Sequence, residues 1–158
     1  MPLAPLPALR AALPRHARLI GLDPGRKIIG VALSDVLLML ASPYGAIPRG
    51  KLAANAAALA AIAAREGAGG LVVGLPLGLD GSFGPAAQAA KDWATAISDA
   101  VGLPAALWDE RLSSAAVNRM MIAADLTRAK RARAVDAAAA AYTLQAALDA
   151  SAGWGRSA

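Results

Sequence analysis

At 158 residues, the chain has the length of one domain that can bury a substantial core. Hydrophobic residues make up 57% and charged residues 17%, and this composition argues against disorder. Every apolar stretch is interrupted by Gly, Pro or a charged residue before it reaches the roughly 18 to 20 residues of a membrane span. The formal net charge of +5 favours a polyanionic partner, and the lack of cysteine excludes disulfides and thiolate chemistry and fits a cytoplasmic location.

The first structured segment is predicted to be a β-hairpin. Residues 18–23 (RLIGLD) and 28–35 (IIGVALSD) are short apolar runs that flank the turn PGRK, in which Gly25 is free to take a positive φ. Residues 41–49 (ASPYGAIPR) predict a third, weaker strand, and its prolines indicate a sheet edge.

The rest of the chain is predicted to alternate helices with two buried strands. Alanine-rich stretches that begin with proline or end in glycine indicate helices, and short continuous apolar runs indicate strands. In chain order these elements are a helix over 51–69, a strand over 70–76, a helix over 84–102, a strand over 105–110, and helices over 113–124 and 127–151.

This order of elements predicts an α/β fold with a mixed five-stranded sheet. Strands 1 to 3 should be antiparallel and the later strands parallel, with helices on the faces of the sheet. The order is that of ribonuclease-H-like domains. We expect the domain to span residues 17–151, between a flexible N-terminal tail over 1–16 and a C-terminal tail over 152–158.

Acidic residues stand where two of the predicted strands end. Asp23 closes the first strand, Asp109 and Glu110 close the fifth, and Asp136 lies in the first turns of the last helix, before an alanine run. If the first and last strands are neighbours and the alanines let the helix approach, these carboxylates share one cleft. Oxygen ligands without His or Cys suit Mg²⁺ or Mn²⁺, and two such ions can hold the attacking and leaving oxygens of a phosphodiester.

Each acid also has an interpretation without catalysis. Asp23 is a candidate turn residue that bonds its own backbone, and Asp136 is a candidate partner of the helix dipole. Asp109 and Glu110 are candidates for a surface ion pair with Arg111.

Basic residues cluster at the start of the last predicted helix. Cations there oppose the helix dipole, at a cost of roughly 0.3 to 1 kcal/mol each when exposed, and a bound polyanion would offset it. The alternative is an ordinary solvated face. The cluster comprises Arg128, Lys130, Arg131 and Arg133 after the candidate N-cap Thr127, and Arg26, Lys27, Arg49 and Lys51 are candidates to extend it.

The sequence lacks the residues that several other kinds of active site require. The glycine-rich stretch GLPLGLDGSFG has no Gly-Lys-Ser/Thr ending, which argues against a nucleotide P-loop. GLDPG resembles the phosphate hairpin of actin-like kinases, but the chain is too short for their two lobes. His16 is the only histidine, so a catalytic triad or a histidine-bound zinc is unsupported, and Trp93 and Trp108 are expected to pack in the core.

Four blocks together resemble the YqgF family, also called RuvX, over residues 18 to about 150. The blocks are LIGLDPGRKIIGVALSD, LVVGLPLGLDGSFGPAAQAA, WDERLSS and RAKRARAVDAAAAAYTLQAALD, in the family's order. The resemblance implies a ribonuclease-H-like metal nuclease acting on structured nucleic acid. The family is linked to maturation of the 5′ end of 16S ribosomal RNA precursor, and some members to branched DNA.

The resemblance also implies roles for individual residues. Asp23, Glu110 and Asp136 would be catalytic metal ligands for Mg²⁺ or Mn²⁺, with Asp109 as an additional candidate. The nucleic-acid-binding residues would be Arg111, Arg128, Lys130 and Arg131. The family usually has polar residues at four positions where this chain has Ile28, Gly78, Phe83 and Ala86. These departures concern substrate binding rather than the carboxylates.

Three functions follow as hypotheses. The leading one is a metal-dependent endonuclease that processes the 5′ end of precursor 16S ribosomal RNA, as a monomer or a homodimer. A Holliday junction resolvase acting on branched DNA would need two active sites and therefore a dimer. A nucleic-acid-binding or ribosome-assembly factor without catalysis would use the same basic residues.

Overall fold

Five β-strands form one mixed sheet at the centre of the fold. The structure is a computed structural model and describes residues 3–77, 80–109 and 128–152. Each strand is a short apolar run bounded by turn residues or helix ends, as the sequence predicts. The strands are β1 (Arg18–Pro24), β2 (Ile28–Ser34), β3 (Ala41–Pro48), β4 (Ala68–Leu75) and β5 (Ala105–Asp109).

Helices connect and cover the strands. They are α1 (Leu6–Ala12), α2 (Leu52–Glu66), α3 (Pro85–Val101) and α4 (Arg128–Ser151). The helices predicted over 84–102 and 127–151 are confirmed within the described residues. The helix predicted over 51–69 is confirmed but ends at Glu66, because residues 68 and 69 belong to β4. The helix predicted over 113–124 lies outside the described residues. Gly67 and Gly102 end α2 and α3 with φ values of 70° and 81°, a conformation that side-chain-bearing residues rarely adopt. No helix within the described ranges is both long and apolar enough to cross a membrane.

The strand order across the sheet is β3-β2-β1-β4-β5. β1 is antiparallel to β2 and parallel to β4, so the predicted mixed sheet with β3 at an edge is confirmed. The supposition that the first and fifth strands are neighbours is wrong, because β4 lies between them. Since β1, β4 and β5 are parallel, their carboxyl ends still meet at one edge of the sheet.

The sheet has a hydrophobic core on each face. Side chains of a strand alternate between the faces, so each strand contributes to both cores. One core joins the sheet to α2 and α3 and includes Ile20, Leu22, Leu59, Val73 and Ile97. The other joins it to α1 and α4 and includes Leu9, Leu19, Val72, Ala140 and Leu144.

The N-terminal segment differs from the flexible tail expected over residues 1–16. Residues 6–12 form α1, and the side chains of Leu6 and Leu9 are only 6% and 1% exposed. Leu3 forms a parallel bridge with Ala105 of β5. Of the described prolines in this segment, Pro5 lies at the N-cap and Pro7 in the first turn, where a missing N–H breaks no helical hydrogen bond, and Pro14 follows the helix. At the other end α4 reaches Ser151, and residues 153–158 lie outside the described part.

Candidate carboxylate site

Asp23 lies on the face of the sheet that α4 covers. Its neighbours Ile20 and Leu22 belong to the core under α2 and α3, so the alternation of β1 directs Gly21 and Asp23 to the opposite face. Across the antiparallel pair, Asp23 faces Gly30 of β2. Asp23 is therefore part of the strand that packs under α4, at the edge where β1 ends.

Two glycines let α4 lie directly on this face. A Cβ added to Gly30 would lie 2.6 Å from the carbonyl carbon of Asp136, and one added to Gly21 would lie 2.8 Å from the Cβ of Leu144. Both separations are below those that real Cβ atoms show, so only glycine fits. The expectation that alanines let this helix approach is confirmed for Ala140, which is fully buried. The glycines were not anticipated, although glycine inside a strand is a known signal of close backbone approach.

Asp136 is brought to Asp23 by this contact. Its backbone lies over Gly30, which is paired with Asp23, and its side chain is half-buried. Burial raises the pKa of the Asp136 carboxyl, and the negative charge of Asp23 raises it further. Asp136 lies two turns inside α4, beyond the first turn in which the helix dipole acts, so dipole compensation does not explain its position. The structure thus unites two of the predicted acids.

Asp109 lies at the end of β5, on the other face. Leu107 packs against the core under α2 and α3, and Trp108 against the core under α1 and α4, as expected for a packing residue. Alternation therefore directs Asp109 away from the α4 face. Glu110 and Arg111 lie outside the described residues. Among those that are described, no cluster of three or more His, Cys, Asp or Glu side chains is positioned to hold a metal.

The hairpin turn after Asp23 is tightly bonded. The N–H of Gly25 donates to the carbonyl oxygen of Ile28 at 2.9 Å, and a Cβ on Gly25 would lie 2.6 Å from that oxygen. Gly25 does not use the positive φ that was open to it, since the described glycines with positive φ are Gly67, Gly81 and Gly102. Gly25 is required for space, because the carbonyl of Ile28 folds back over it.

The predicted phosphate-binding residues fall into two groups. Arg128, Lys130 and Arg131 begin α4, whose first two turns lead to Asp136, but their side chains lie outside the described part. Arg26, Lys27 and Lys51 are exposed and Arg49 is half-buried, next to the hairpin turn that follows Asp23. The second group lies at the sheet edge that carries the acids, because β1 and β3 both end there.

The departures from the family pattern have different environments. Ile28 is half-buried at the start of β2, beside Pro48 of β3. Phe83 is 49% exposed just before α3, and Ala86 is exposed in the first turn of that helix. Gly78 lies outside the described residues.

The chain is a ribonuclease-H-like domain. This class is defined by a mixed sheet in this strand order, by helices on both faces and by an aspartate pair where the central strand ends. Solved structures support this fold. The chain is similar to Thermus thermophilus RuvC in complex with a Holliday junction substrate, with a TM-score of 0.51, 17% identity and coverage of 88% of this chain and 98% of that chain. RuvC alone gives a TM-score of 0.53 at 12% identity, over 86% and 96% of the two chains.

Sequence similarity defines the family. The family model described as "RuvX: Holliday junction resolvase" matches residues 17–150. A protein of Gluconacetobacter diazotrophicus is 66% identical over 153 residues, covering 96% of this chain and 99% of its own length. One of Acidiphilium cryptum is 66% identical over 149 residues, covering 94% of each. Both carry the name "Putative pre-16S rRNA nuclease". The chain belongs to the RuvX family.

Proposed function

We propose that this protein is a divalent-metal-dependent endonuclease that hydrolyses phosphodiester bonds in structured nucleic acid, with the 5′ end of precursor 16S ribosomal RNA as its substrate. The observation that carries the proposal is the Asp23–Asp136 pair, which β1 and α4 hold on one face of the sheet at its edge. The names of the relatives support ribosomal RNA as the substrate. This role would place the protein in the cytoplasm.

The donor set fits a hard cation. Asp23 and Asp136 offer carboxylate oxygens, the ligands that Mg²⁺ and Mn²⁺ prefer. A cation between them would offset the repulsion that contributes to the raised pKa of Asp136. Alternation in β5 directs Asp109 to the opposite face, and the third ligand that we propose is Glu110. When bound, such an ion supplies activation of the attacking water and charge stabilisation at the phosphate.

The chain's own residues position the acids and bind the substrate. Asp23 is held within β1 by its pairing with β2, and Asp136 is held by the contact of its backbone with Gly30. Half-burial of both carboxylates limits the water around them, which strengthens their interaction with a cation. The proposed phosphate ligands at the start of α4 and after β5 are Arg111, Arg128, Lys130 and Arg131.

A second function has one specific observation in its favour. The family model that matches residues 17–150 is described as a Holliday junction resolvase. Resolution of a four-way junction needs two cuts and therefore two active sites, which a monomer of this chain does not supply. A third function, binding of nucleic acid during ribosome assembly without cleavage, would use the same basic residues and would not need the acid pair.

Cleavage assays separate the three functions. A 5′-extended 16S precursor RNA and a four-way DNA junction are each incubated with Mg²⁺, with Mn²⁺ and with chelator. We expect metal-dependent cleavage of the RNA by the wild type and its loss in Asp23→Asn and Asp136→Asn. Asp149→Asn is the matched control, because Asp149 lies exposed near the far end of the same helix.

Each result assigns one function. Cleavage of the junction alone, by a species that sediments as a dimer, would make the protein a resolvase. Tight binding of either substrate without cleavage would make it a binding factor. Full RNA cleavage by both Asp→Asn variants would show that the acid pair is not the active site.

A further inference from the structure

We infer that a second phosphate-binding surface lies on the hairpin side of the carboxylate site, so that the nucleic acid crosses the acid pair between this surface and the start of α4. The inference rests on the proposed function and extends it by a binding site. The hairpin basic patch consists of Arg26, Lys27, Arg49 and Lys51.

Arg49 joins the two segments that form the hairpin basic patch. Its guanidinium donates to the carbonyl oxygen of Gly25 at 2.9 Å, and its backbone N–H donates to the carbonyl oxygen of Lys27 at 2.8 Å. Its guanidinium carbon also lies 5.5 Å from the centre of the Trp93 ring. These contacts fix the end of β3 against the β1–β2 turn. No carboxylate of the described residues forms an ion pair with Arg49 there.

The other three cations have no partners among the residues that the structure describes. The side chains of Arg26, Lys27 and Lys51 are exposed and form no hydrogen bond or ion pair within the described ranges. Like charges brought together at a surface repel each other unless counterions or a polyanion neutralise them. A patch of this kind, fixed by Arg49 rather than scattered, suits a phosphodiester backbone.

The hairpin basic patch lies within reach of a nucleic-acid strand bound at the acids. Lys27 follows Asp23 by four residues, so their Cα atoms are separated by no more than about 14 Å of extended chain. Successive phosphates of one strand in a duplex are spaced by about 3.4 Å along the axis. A strand whose scissile phosphate lies at Asp23 and that runs toward the hairpin turn would therefore reach Lys27 within roughly four nucleotides.

The first test is the salt dependence of binding. The double variant Arg26→Gln/Lys27→Gln is compared with Arg15→Gln/Lys91→Gln, which removes the same charge from exposed positions before β1 and on α3. Binding of the precursor RNA and of junction DNA is measured in chelator, so that cleavage does not intervene. Each lost phosphate contact lowers the slope of log K against log salt by about 0.7 for a single strand and 0.9 for a duplex. We expect the hairpin variant to lose about 1.4 to 1.8 from the slope and the control to keep it.

The second test keeps every charge. The chain has no cysteine, and a Cβ at Gly50 or at Gly45 would meet no atom within 4 Å, so Gly50→Cys and Gly45→Cys each accept a single thiol-linked photocrosslinker. Gly50 lies between Arg49 and Lys51, whereas Gly45 lies about five residues back along β3. We expect crosslinks to bound nucleic acid from position 50 and few from position 45.

The outcomes distinguish the patch from the nuclease. An unchanged slope in the hairpin variant, an equal loss in both double variants, or equal crosslinking from positions 45 and 50 would overturn the patch. A wild type that binds with the expected slopes but never cleaves would overturn the nuclease and leave the patch standing. Effects on RNA but not on junction DNA, or the reverse, would identify the nucleic acid that the patch serves.

Discussion

Replacement of Gly30 by alanine tests whether close contact between α4 and the sheet holds the acid pair together. The added Cβ would lie 2.6 Å from the carbonyl carbon of Asp136, and an ordinary contact needs at least 3.4 Å. The obstacle is helix backbone, which cannot turn aside as a side chain would. The segment of α4 at Asp136 must therefore retreat by at least about 0.8 Å, and the Asp136 carboxylate moves away from Asp23 with it.

This displacement should affect stability and chemistry by different amounts. Overpacking costs roughly 1 to 3 kcal/mol, which lowers Tm by about 3 to 10 °C in a domain of this size. Misplacing a catalytic group by about 1 Å can lower the rate about 100-fold. We therefore expect Gly30→Ala to remain folded at 25 °C and to lose most of its Mn²⁺ affinity and of its metal-dependent cleavage.

The matched control is Gly45→Ala, another glycine of the same sheet whose added Cβ would meet no atom within 4 Å. It should keep or slightly raise Tm, because alanine restricts the unfolded chain more than glycine does. Thermal unfolding gives the stability of each variant, and the relaxation of water protons by bound Mn²⁺ gives its metal affinity. A Gly30→Ala protein with the Tm and the Mn²⁺ affinity of the wild type would refute the reasoning, since α4 would then not depend on this contact.

Two further substitutions test the electrostatics and the core. The pKa of Asp136 is raised in the folded protein, so the metal-free fold binds this proton more tightly than the unfolded chain, and its free energy of unfolding falls as pH rises through the raised pKa. Above that pH, in chelator, Asp136→Asn should raise Tm, and the gain should shrink as pH falls and when Mg²⁺ is added. A Tm difference that is independent of pH and metal would contradict this. Ser34→Ala should lower the free energy of unfolding in urea by about 1 to 3 kcal/mol, because the buried Ser34 hydroxyl accepts a hydrogen bond from the Leu19 N–H at 2.8 Å. Ser42→Ala, at an exposed site, should change it little. Equal losses in the two serine variants would rule out this buried hydrogen bond as the cause.

The hairpin, the five strands and the helices that flank them could be predicted because each depends on local pattern. The runs at residues 18–23 and 28–35 are apolar on both sides of a turn, and α2 and α3 end at Gly67 and Gly102 as their sequences indicate. The N-terminal helix could not be predicted in this way. Its seven residues, preceded by proline, gain their stability from Leu6 and Leu9 packing on a sheet formed by residues far along the chain.

The candidate site was predictable in its residue types and less so in its geometry. Asp23 and Asp136 were expected together, and the structure places them together. The strand order that brings the strand ends together was not foreseen, because β4 separates β1 from β5. Strand order is set by pairing between distant segments rather than by chain order. Alternation within β5, which separates Asp109 from the α4 face, was present in the sequence, but it could be assigned to a face only once Leu107 and Trp108 had been placed in opposite cores.

The close packing of α4 on the sheet depends on residues that carry costs of their own. Glycine inside a strand costs roughly 0.5 to 1 kcal/mol relative to alanine, and Gly21 and Gly30 both lie where a larger apolar residue would otherwise extend the core. A side chain at either position would displace α4, because the added Cβ would meet Leu144 or Asp136. The same contact holds the Asp136 carboxylate half-buried near a like charge, which raises its pKa and disfavours its ionised form. The weak strand preference of Gly21 and Gly30 and the raised pKa of Asp136 are thus costs that accompany the close packing of α4 on the sheet, and a cation bound by Asp23 and Asp136 would offset the electrostatic part of them.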